Sequence, residues 1–341
     1  MTKKFALPIL LSFAFSAHAA VSAFINGQNY VPLADWARAN DFRIALLNRE
    51  IILTDKNSRL VFDVDSAQSQ INGVNVRLSF PIASQTNVPL ISQLDLDTTV
   101  RPLIFPQKNS AKKITTICLD PGHGGKDSGN RVGFGFFGHS EKTYTLEMAL
   151  ELRDQLKKLG FNVIVTRTKD TYVELPARPA MANRRGADLF VSLHFNATGT
   201  GRDEAEGPET YCITPVGASS SNAQGEGKDY GATTANRFEN KSLLLAYQME
   251  KSLVQNLNAN DRGVKRARYW VLRDASMPAI LIEGGFMTHP PEAKKIYDSA
   301  YRRQMAAAIV KGILAYQKII TPVVLPSAAA TNKVSTMKHP Q

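Results

Sequence analysis

From Ile114 to about Ile320, short apolar runs alternate with amphipathic helical stretches, and this alternation most narrows the folds open to the chain. Ile114 to Leu119, Asn162 to Thr166, Asp188 to Leu193, Glu209 to Ile213, Tyr269 to Leu272 and Ala279 to Ile282 read as strands. Glu141 to Leu159, Leu175 to Arg185, Leu243 to Leu257 and Tyr301 to Tyr316 read as helices. In the first helix, Leu146, Ala149 and Leu150 start an apolar face that Leu152, Leu156 and Leu159 continue, and Gly160 ends it. Strands that alternate with helices bury both faces of one sheet. The pattern therefore predicts an α/β domain over residues 114–320, an open, mostly parallel or mixed sheet with helices on both faces.

The segments on either side behave differently. Lys3 and Lys4, an apolar run from Phe5 to Phe15 and the small-x-small Ala17-His18-Ala19 come in the order of a secretory signal peptide, residues 1–19. The apolar run is too short to span a bilayer, and no later stretch has the length and apolarity of a membrane span. No Cys follows it, so no lipid anchor is expected, and the protein is expected to be periplasmic or secreted. Residues 20–105 hold short alternating segments, such as Arg43-Ile-Ala-Leu-Leu47 and Glu50-Ile-Ile-Leu-Thr54, punctuated by Asn26-Gly27 and Asn72-Gly73. They predict a small α+β domain. Residues 106–113 read as a linker. Residues 321–341, rich in Pro, Ala, Ser and Thr, read as a disordered tail.

The formal charge of +11, to which Lys3 and Lys4 contribute two, favours acidic envelope polymers as partners. Export argues against nucleic acid. The two cysteines, Cys118 and Cys212, both lie in apolar strand-like runs and read as buried thiols; two thiols cannot build a four-thiolate zinc site.

Histidine supply sharpens the search for chemistry. Of six, His18 lies in the signal and His339 in the tail, which leaves His123, His139, His194 and His289. Ile117-Cys-Leu-Asp120 runs into Pro121-Gly-His123, Leu189-Phe-Val-Ser-Leu193 into His194, and Ile280-Leu-Ile282 into Glu283. In open α/β sheets ligands gather at the carboxyl ends of strands, so two imidazoles and a carboxylate are delivered to one edge. A catalytic zinc takes three protein ligands, often two His and a carboxylate. From spacing alone the third ligand stays open between Glu141, which starts a helix after the Gly-rich loop from Gly122 to Gly138, and its neighbour His139. Gly133-Phe-Gly-Phe-Phe-Gly138 matches a dinucleotide fingerprint but stands too far beyond Leu119 for the tight turn such a site needs.

Several motifs together resemble the zinc-dependent N-acetylmuramoyl-L-alanine amidases of the amidase_3 family. They are Leu119-Asp-Pro-Gly-His-Gly-Gly125, Glu141 with its helix, Ala187-Asp-Leu-Phe-Val-Ser-Leu-His-Phe-Asn196, Arg262-Gly-Val-Lys-Arg-Ala267, Val271-Leu-Arg-Asp-Ala-Ser-Met-Pro-Ala279 and Ile282-Glu-Gly-Gly-Phe-Met287. The resemblance implies one zinc ion on His123, Glu141 and His194, with Glu283 as the catalytic carboxylate. It also implies cleavage between N-acetylmuramic acid and L-alanine of peptidoglycan, in wall remodelling or daughter-cell separation, and an activator protein at the division site as a partner. Asn196 and Arg268 are weaker candidates for lining the site. A zinc peptidase or deacetylase on the same scaffold, or a peptidoglycan binder without activity, are the competing readings. The long segment 197–240 stands where some relatives carry an insertion over the active site. Residues 20–105 resemble the copper amine oxidase-like N-terminal domain, through Tyr30-Val-Pro-Leu33, Asn87-Val-Pro-Leu90 and Ile71-Asn-Gly73. No copper is implied, because the region has no His after the signal and no Cys.

Overall fold

The computed structural model describes residues 22–107, 113–133, 138–199, 204–221 and 231–321. The expected signal peptide and tail lie outside these residues, as do the middles of the expected linker, of the Gly133–Gly138 motif and of the 197–240 segment.

The N-terminal region begins with β1 (Ala23–Ile25), β2 (Gln28–Pro32) and α1 (Leu33–Ala39). A meander follows: β3 (Arg43–Leu47), β4 (Glu50–Thr54), β5 (Arg59–Asp63), β6 (Gln68–Ile71) and β7 (Val74–Arg77). Then come β8 (Ala83–Gln85), β9 (Val88–Ser92) and a helical stretch made of α2 (Gln93–Asp95), a π-turn over Leu96–Val100 and α3 (Arg101–Ile104). The two Val-Pro-Leu segments lie side by side, with Pro32 opposite Leu90 in the antiparallel β2–β9 pair. Each leads into a helix, and the second starts on a cap in which Asp95 N–H donates to Ser92 Oγ at 3.0 Å.

The α/β region comprises β10 (Thr116–Pro121), the short β11 (Arg131–Val132) and β12 (His139–Ser140), α4 (Glu141–Lys158), β13 (Asn162–Val165), α5 (Ala177–Arg184) and β14 (Leu189–Asn196). It continues with β15 (Glu209–Cys212), α6 (Glu239–Leu257), β16 (Val264–Arg266), α7 (Trp270–Arg273), β17 (Ala279–Phe286), α8 (Pro290–Tyr297) and α9 (Ser299–Ile320). The predicted α/β sheet is present. Strands β13, β10, β14 and β17 are parallel neighbours, β15 runs antiparallel to β17, and β16 is parallel to β15.

The sheet does not stop there. Val264 of β16 pairs with Val76 of β7, and the meander continues the order as β13-β10-β14-β17-β15-β16-β7-β6-β5-β4-β3. The two regions that the sequence separates by a linker thus share one eleven-stranded sheet. Side chains reinforce the seam. Asn75 N–H donates to Asp261 Oδ2 at 2.7 Å, Asn75 Nδ2 donates to Asp261 O at 2.9 Å, and Tyr247 OH donates to Ile71 O at 2.9 Å. The buried Arg266 donates to Thr98 O at 2.6 Å and to Ile213 O at 3.2 Å, so one guanidinium bridges both regions.

Alternation along the strands assigns the two faces. Ile117, Leu119, Val191, Ile280, Ile282, Cys212 and Val264 join the meander and helices α4, α6 and α9 in the larger core. Cys118, Phe190, Tyr211, Ala279 and Leu281 form a smaller core with Val271 and Leu272 on the other face. Full burial of a Leu or Ile side chain contributes about 1.5–3 kcal/mol, so both faces are strongly held. The two cysteines are buried and free, as expected, and project to opposite faces.

One local expectation changes, and two short elements carry little signal in the sequence. Tyr269 to Leu272, read as a strand from its aromatic and branched residues, ends in the single helical turn of α7, because Val271 and Leu272 pack into the smaller core. The three-residue β16 is too short for its alternation to stand out. The helix α8 opens on Pro290-Pro291, since Pro in a first turn costs no hydrogen bond.

Candidate metal centre

Three strand ends and one helix start converge on the face that carries the smaller core. Counting by twos, Phe190, Ser192 and His194 share that face of β14, and Ala279, Leu281 and Glu283 share it on β17. His194 and Glu283 are cross-strand partners, just before the ladder is interrupted by a register shift between His194 and Asn196.

His123 follows β10 and takes a left-handed backbone conformation, φ 62°, which is unfavourable for a residue with a Cβ. Two arginines hold the strained turn. Arg167 donates to Pro121 O at 3.0 Å and Gly122 O at 2.7 Å; Arg178 donates to Pro121 O and His123 O, each at 2.9 Å. Arg178 is in turn fixed by an ion pair with buried Asp120 at 2.9 Å, and Asp120 also accepts from Thr166 Oγ1 at 2.6 Å and Ser192 Oγ at 2.8 Å. The sequence reading passed over Arg167 and Arg178. Their signal is faint, since a surface arginine looks the same until its burial is known.

Glu141, the first residue of α4, reaches both imidazoles. Its Oε1 lies 3.1 Å from His123 Nε2 and 2.9 Å from His194 Nδ1. Main-chain amides steady it: Phe195 N–H donates to Oε1 at 3.1 Å and Asn130 N–H to Oε2 at 2.9 Å. Burial opposes ionisation of Glu141, but the hydrogen bonds with the two histidines outweigh it and hold the carboxyl well below the usual carboxylate range. For His123 burial likewise opposes charge, and Glu141 and Asp127 prevail, so its proton affinity is raised. Asp127 Oδ2 sits 2.8 Å from His123 Nδ1; a proton shared there leaves Nε2 as the inward-facing lone pair. Asp127 is a third residue that the sequence reading did not single out.

The set fits a single zinc ion. Ligand atoms of His123, Glu141 and His194 all lie within 4.8 Å of one another. Metal bonds of about 2 Å at tetrahedral angles separate ligand atoms by about 3.3 Å, close to the two contacts of Glu141. Two imidazole nitrogens and one carboxylate oxygen are a donor set that a catalytic zinc accepts while keeping one position open. Packing leaves no slack. A Cβ on Gly122 would come within 2.2 Å of the His194 ring, and one on Gly129, itself at φ 63°, within 2.6 Å of both Glu141 and His123. His139, the competing third ligand, instead stacks on Tyr297 with ring centroids 3.6 Å apart and hydrogen-bonds Tyr144.

Glu283 stands beside the cluster. The residue is partly exposed, yet its Oε2 is buried and has no hydrogen-bond partner. Burial, then the charges of Glu141 and Glu209, push its carboxyl well above the ordinary range. Across the next ladder Glu283 faces Glu209 of β15. Glu209 is buried and surrounded by donors: Asn196 Nδ2 at 2.9 Å, Tyr211 OH at 2.8 Å, Arg262 Nε at 2.9 Å, and Lys265. Burial opposes its charge, and Lys265 with these hydrogen bonds overcomes the opposition, keeping its carboxyl below the ordinary range.

Of the two weaker candidates, Asn196 reaches the site through Glu209. Arg268 does not. It lies past the far end of β16, buried, with its guanidinium donating to Pro215 O at 3.1 Å and Ala218 O at 2.6 Å. These hydrogen bonds fasten the loop that follows β15.

A family model described as N-acetylmuramoyl-L-alanine amidase matches residues 117–315. The chain is 36% identical over 201 residues to the uncharacterized protein YqiI of Bacillus subtilis, a match covering 59% of this chain and 84% of that protein. It is 33% identical over 203 residues to the N-acetylmuramoyl-L-alanine amidase LytC of the same organism, covering 60% of this chain and only 36% of LytC. Among solved structures, the N-acetylmuramoyl-L-alanine amidase from Clostridium difficile 630 is similar with a TM-score of 0.50 and 35% identity, over 61% of this chain and 98% of that one.

Proposed function

The chain belongs to the N-acetylmuramoyl-L-alanine amidase family, and from that premise we propose that it hydrolyses the amide between N-acetylmuramic acid and L-alanine in peptidoglycan. One zinc ion would be held by His123, Glu141 and His194, with Glu283 as the proton-transfer group. The observation that carries this reading is the buried, unpartnered Oε2 of Glu283 one strand away from a three-donor cluster within 4.8 Å.

When bound, zinc supplies Lewis acidity that polarises the amide carbonyl and lowers the pKa of water at the site. The other tasks fall to the chain. Glu283 takes a proton from the attacking water and returns it to the departing L-alanine nitrogen, a role suited to a carboxylate whose proton affinity is already raised. Asp127 orients His123 and keeps its Nε2 free to bind. Arg167 and Arg178 hold the strained turn that presents His123. Glu209, fixed by four donors, orders the strand beside Glu283.

In this reading residues 1–19 direct export to the periplasm or exterior, and no helix among the described residues is long and apolar enough to cross a membrane. The N-terminal region is of the copper amine oxidase-like N-terminal type without a copper role. The partners are peptidoglycan and an activator protein at the division site. The decisive test is digestion of purified peptidoglycan followed by mass analysis. The expected products are free stem peptides beginning with L-alanine and glycan strands stripped of peptide. Cleavage within the stem would favour a peptidase, loss of acetyl groups a deacetylase, and binding without products a non-catalytic role.

A further inference from the structure

We propose that the seam between the N-terminal region and the amidase domain is a subsite for the acidic stem peptide of the substrate, with Arg77 of the N-terminal region as its anchor; this rests on the amidase reading above. A groove of about 410 Å³ opens on this seam. Its lining includes Tyr211, Arg262 and Lys265 from the amidase domain and Gln68, Asn75 and Arg77 from the N-terminal meander.

The sheet register aims this groove at the reaction centre. Tyr211 pairs with Lys265, Val264 with Val76, and Gln68 with Arg77. One step beyond the Val264–Val76 pair, Lys265 lies alongside Arg77, so Tyr211, Lys265, Arg77 and Gln68 form one row across β15, β16, β7 and β6. By alternation this row projects from the face that also presents His194, Glu283 and Glu209. Strands are spaced about 4.8 Å apart, so Arg77 lies three spacings, about 14 Å, from the strand of Glu283. An extended peptide advances about 3.3 Å per residue, and four residues therefore span about 13 Å. Arg77 is also offset two residues, about 6.6 Å, along the strands from Glu283, about 16 Å in all, so a tetrapeptide stem that begins beside Glu283 ends about 3 Å short of the Arg77 backbone, within reach of its long side chain.

Charge identifies which half of the substrate fits. Arg262 and Lys265 share the one carboxylate of Glu209, and Arg262 is bound to it only through Nε. Asp261 at the rim is occupied by the Asn75 amide. The Arg77 guanidinium has no hydrogen-bond or ion-pair partner among the described residues. Arg77 therefore offers uncommitted donors to a carboxylate, beside two cations that share a single one. N-acetylated sugars are neutral and gain little from such a lining, whereas a stem peptide carries free carboxylates.

The test compares two substrates on the intact protein, an N-acetylmuramoyl tetrapeptide as the free acid and the same compound with its carboxylates amidated. The wild type is expected to prefer the free acid about tenfold in kcat/KM, which corresponds to about 1.4 kcal/mol. Arg77→Gln and Arg77→Glu are expected to shrink that preference towards unity through KM. A wild type without preference, or a preference that survives Arg77→Glu, overturns the subsite. Calorimetric binding of the released tetrapeptide separates the two readings. Binding that Arg77→Glu abolishes supports the subsite even if neither substrate is cleaved, in which case the amidase reading alone falls. Absence of binding to the wild type, with neither substrate cleaved, overturns the subsite as well.

Discussion

Glu209 and Glu283 face each other across the β15–β17 ladder, and their surroundings shift their carboxyls in opposite directions. Lys265, with the hydrogen bonds of Tyr211 and Arg262, outweighs the burial of Glu209 and lowers its carboxyl, whereas burial and the charges of Glu141 and Glu209 raise that of Glu283, whose Oε2 has no donor. Two carboxyls one strand apart thus have their proton affinities pushed apart.

Glu283→Gln is expected to retain stoichiometric zinc and to lose about 10²–10⁴-fold in kcat, the range of a general acid–base contribution. Unchanged turnover of peptidoglycan in that variant would remove Glu283 from the mechanism.

The metal assignment predicts a graded series. His123→Ala is expected to purify without zinc by mass spectrometric metal analysis. Asp127→Asn should bind zinc about 10–100-fold more weakly, because it touches the ligand and not the ion. Full zinc occupancy in His123→Ala would exclude the residue as a ligand.

Arg178→Ala leaves Asp120 charged and buried and frees the turn at His123. Both partners of the pair are essentially inaccessible, so the expected loss is about 3–5 kcal/mol in urea unfolding. A loss below about 1 kcal/mol, the size of a surface pair, would contradict the clasp described above.

A buried acid pair at the seam predicts a pH dependence. Burial pushes the Glu250 carboxyl well above the ordinary range and raises the Asp261 carboxyl as well. A carboxyl raised in the folded state adds stability that is complete below its unfolded value, about 4.3, and is lost as pH rises through the folded one. Glu250→Gln, which cannot ionise, should therefore gain stability relative to the wild type as pH increases. Urea midpoints measured from pH 5 to 8 that stay parallel for the two proteins would refute this.

Much of this protein is readable from local pattern. Strand–helix alternation, with period-two and period-3.6 apolar spacing, suffices for the α/β class and for nearly all long elements, because burying an apolar face is a local demand on sequence. Strand-end position brings His123, His194 and Glu283 to one edge, since every parallel strand carries its last residues to the same side. Other features depend on contacts between distant residues. Glu141 and His139 are equally near in sequence, and only folding sends one carboxylate between two imidazoles and the other side chain onto Tyr297. Arg268 and Arg178 look alike as isolated cations; burial commits both to carbonyls, the first to that of Ala218 and the second to that of His123. Pairing of β16 with β7 is a matter of backbone hydrogen bonds between segments almost two hundred residues apart, which side-chain pattern does not encode. That pairing joins the two regions in one sheet and aligns Arg77 with Lys265, so the sequence determined the elements and the chemistry available, and the tertiary structure decided which residues act together.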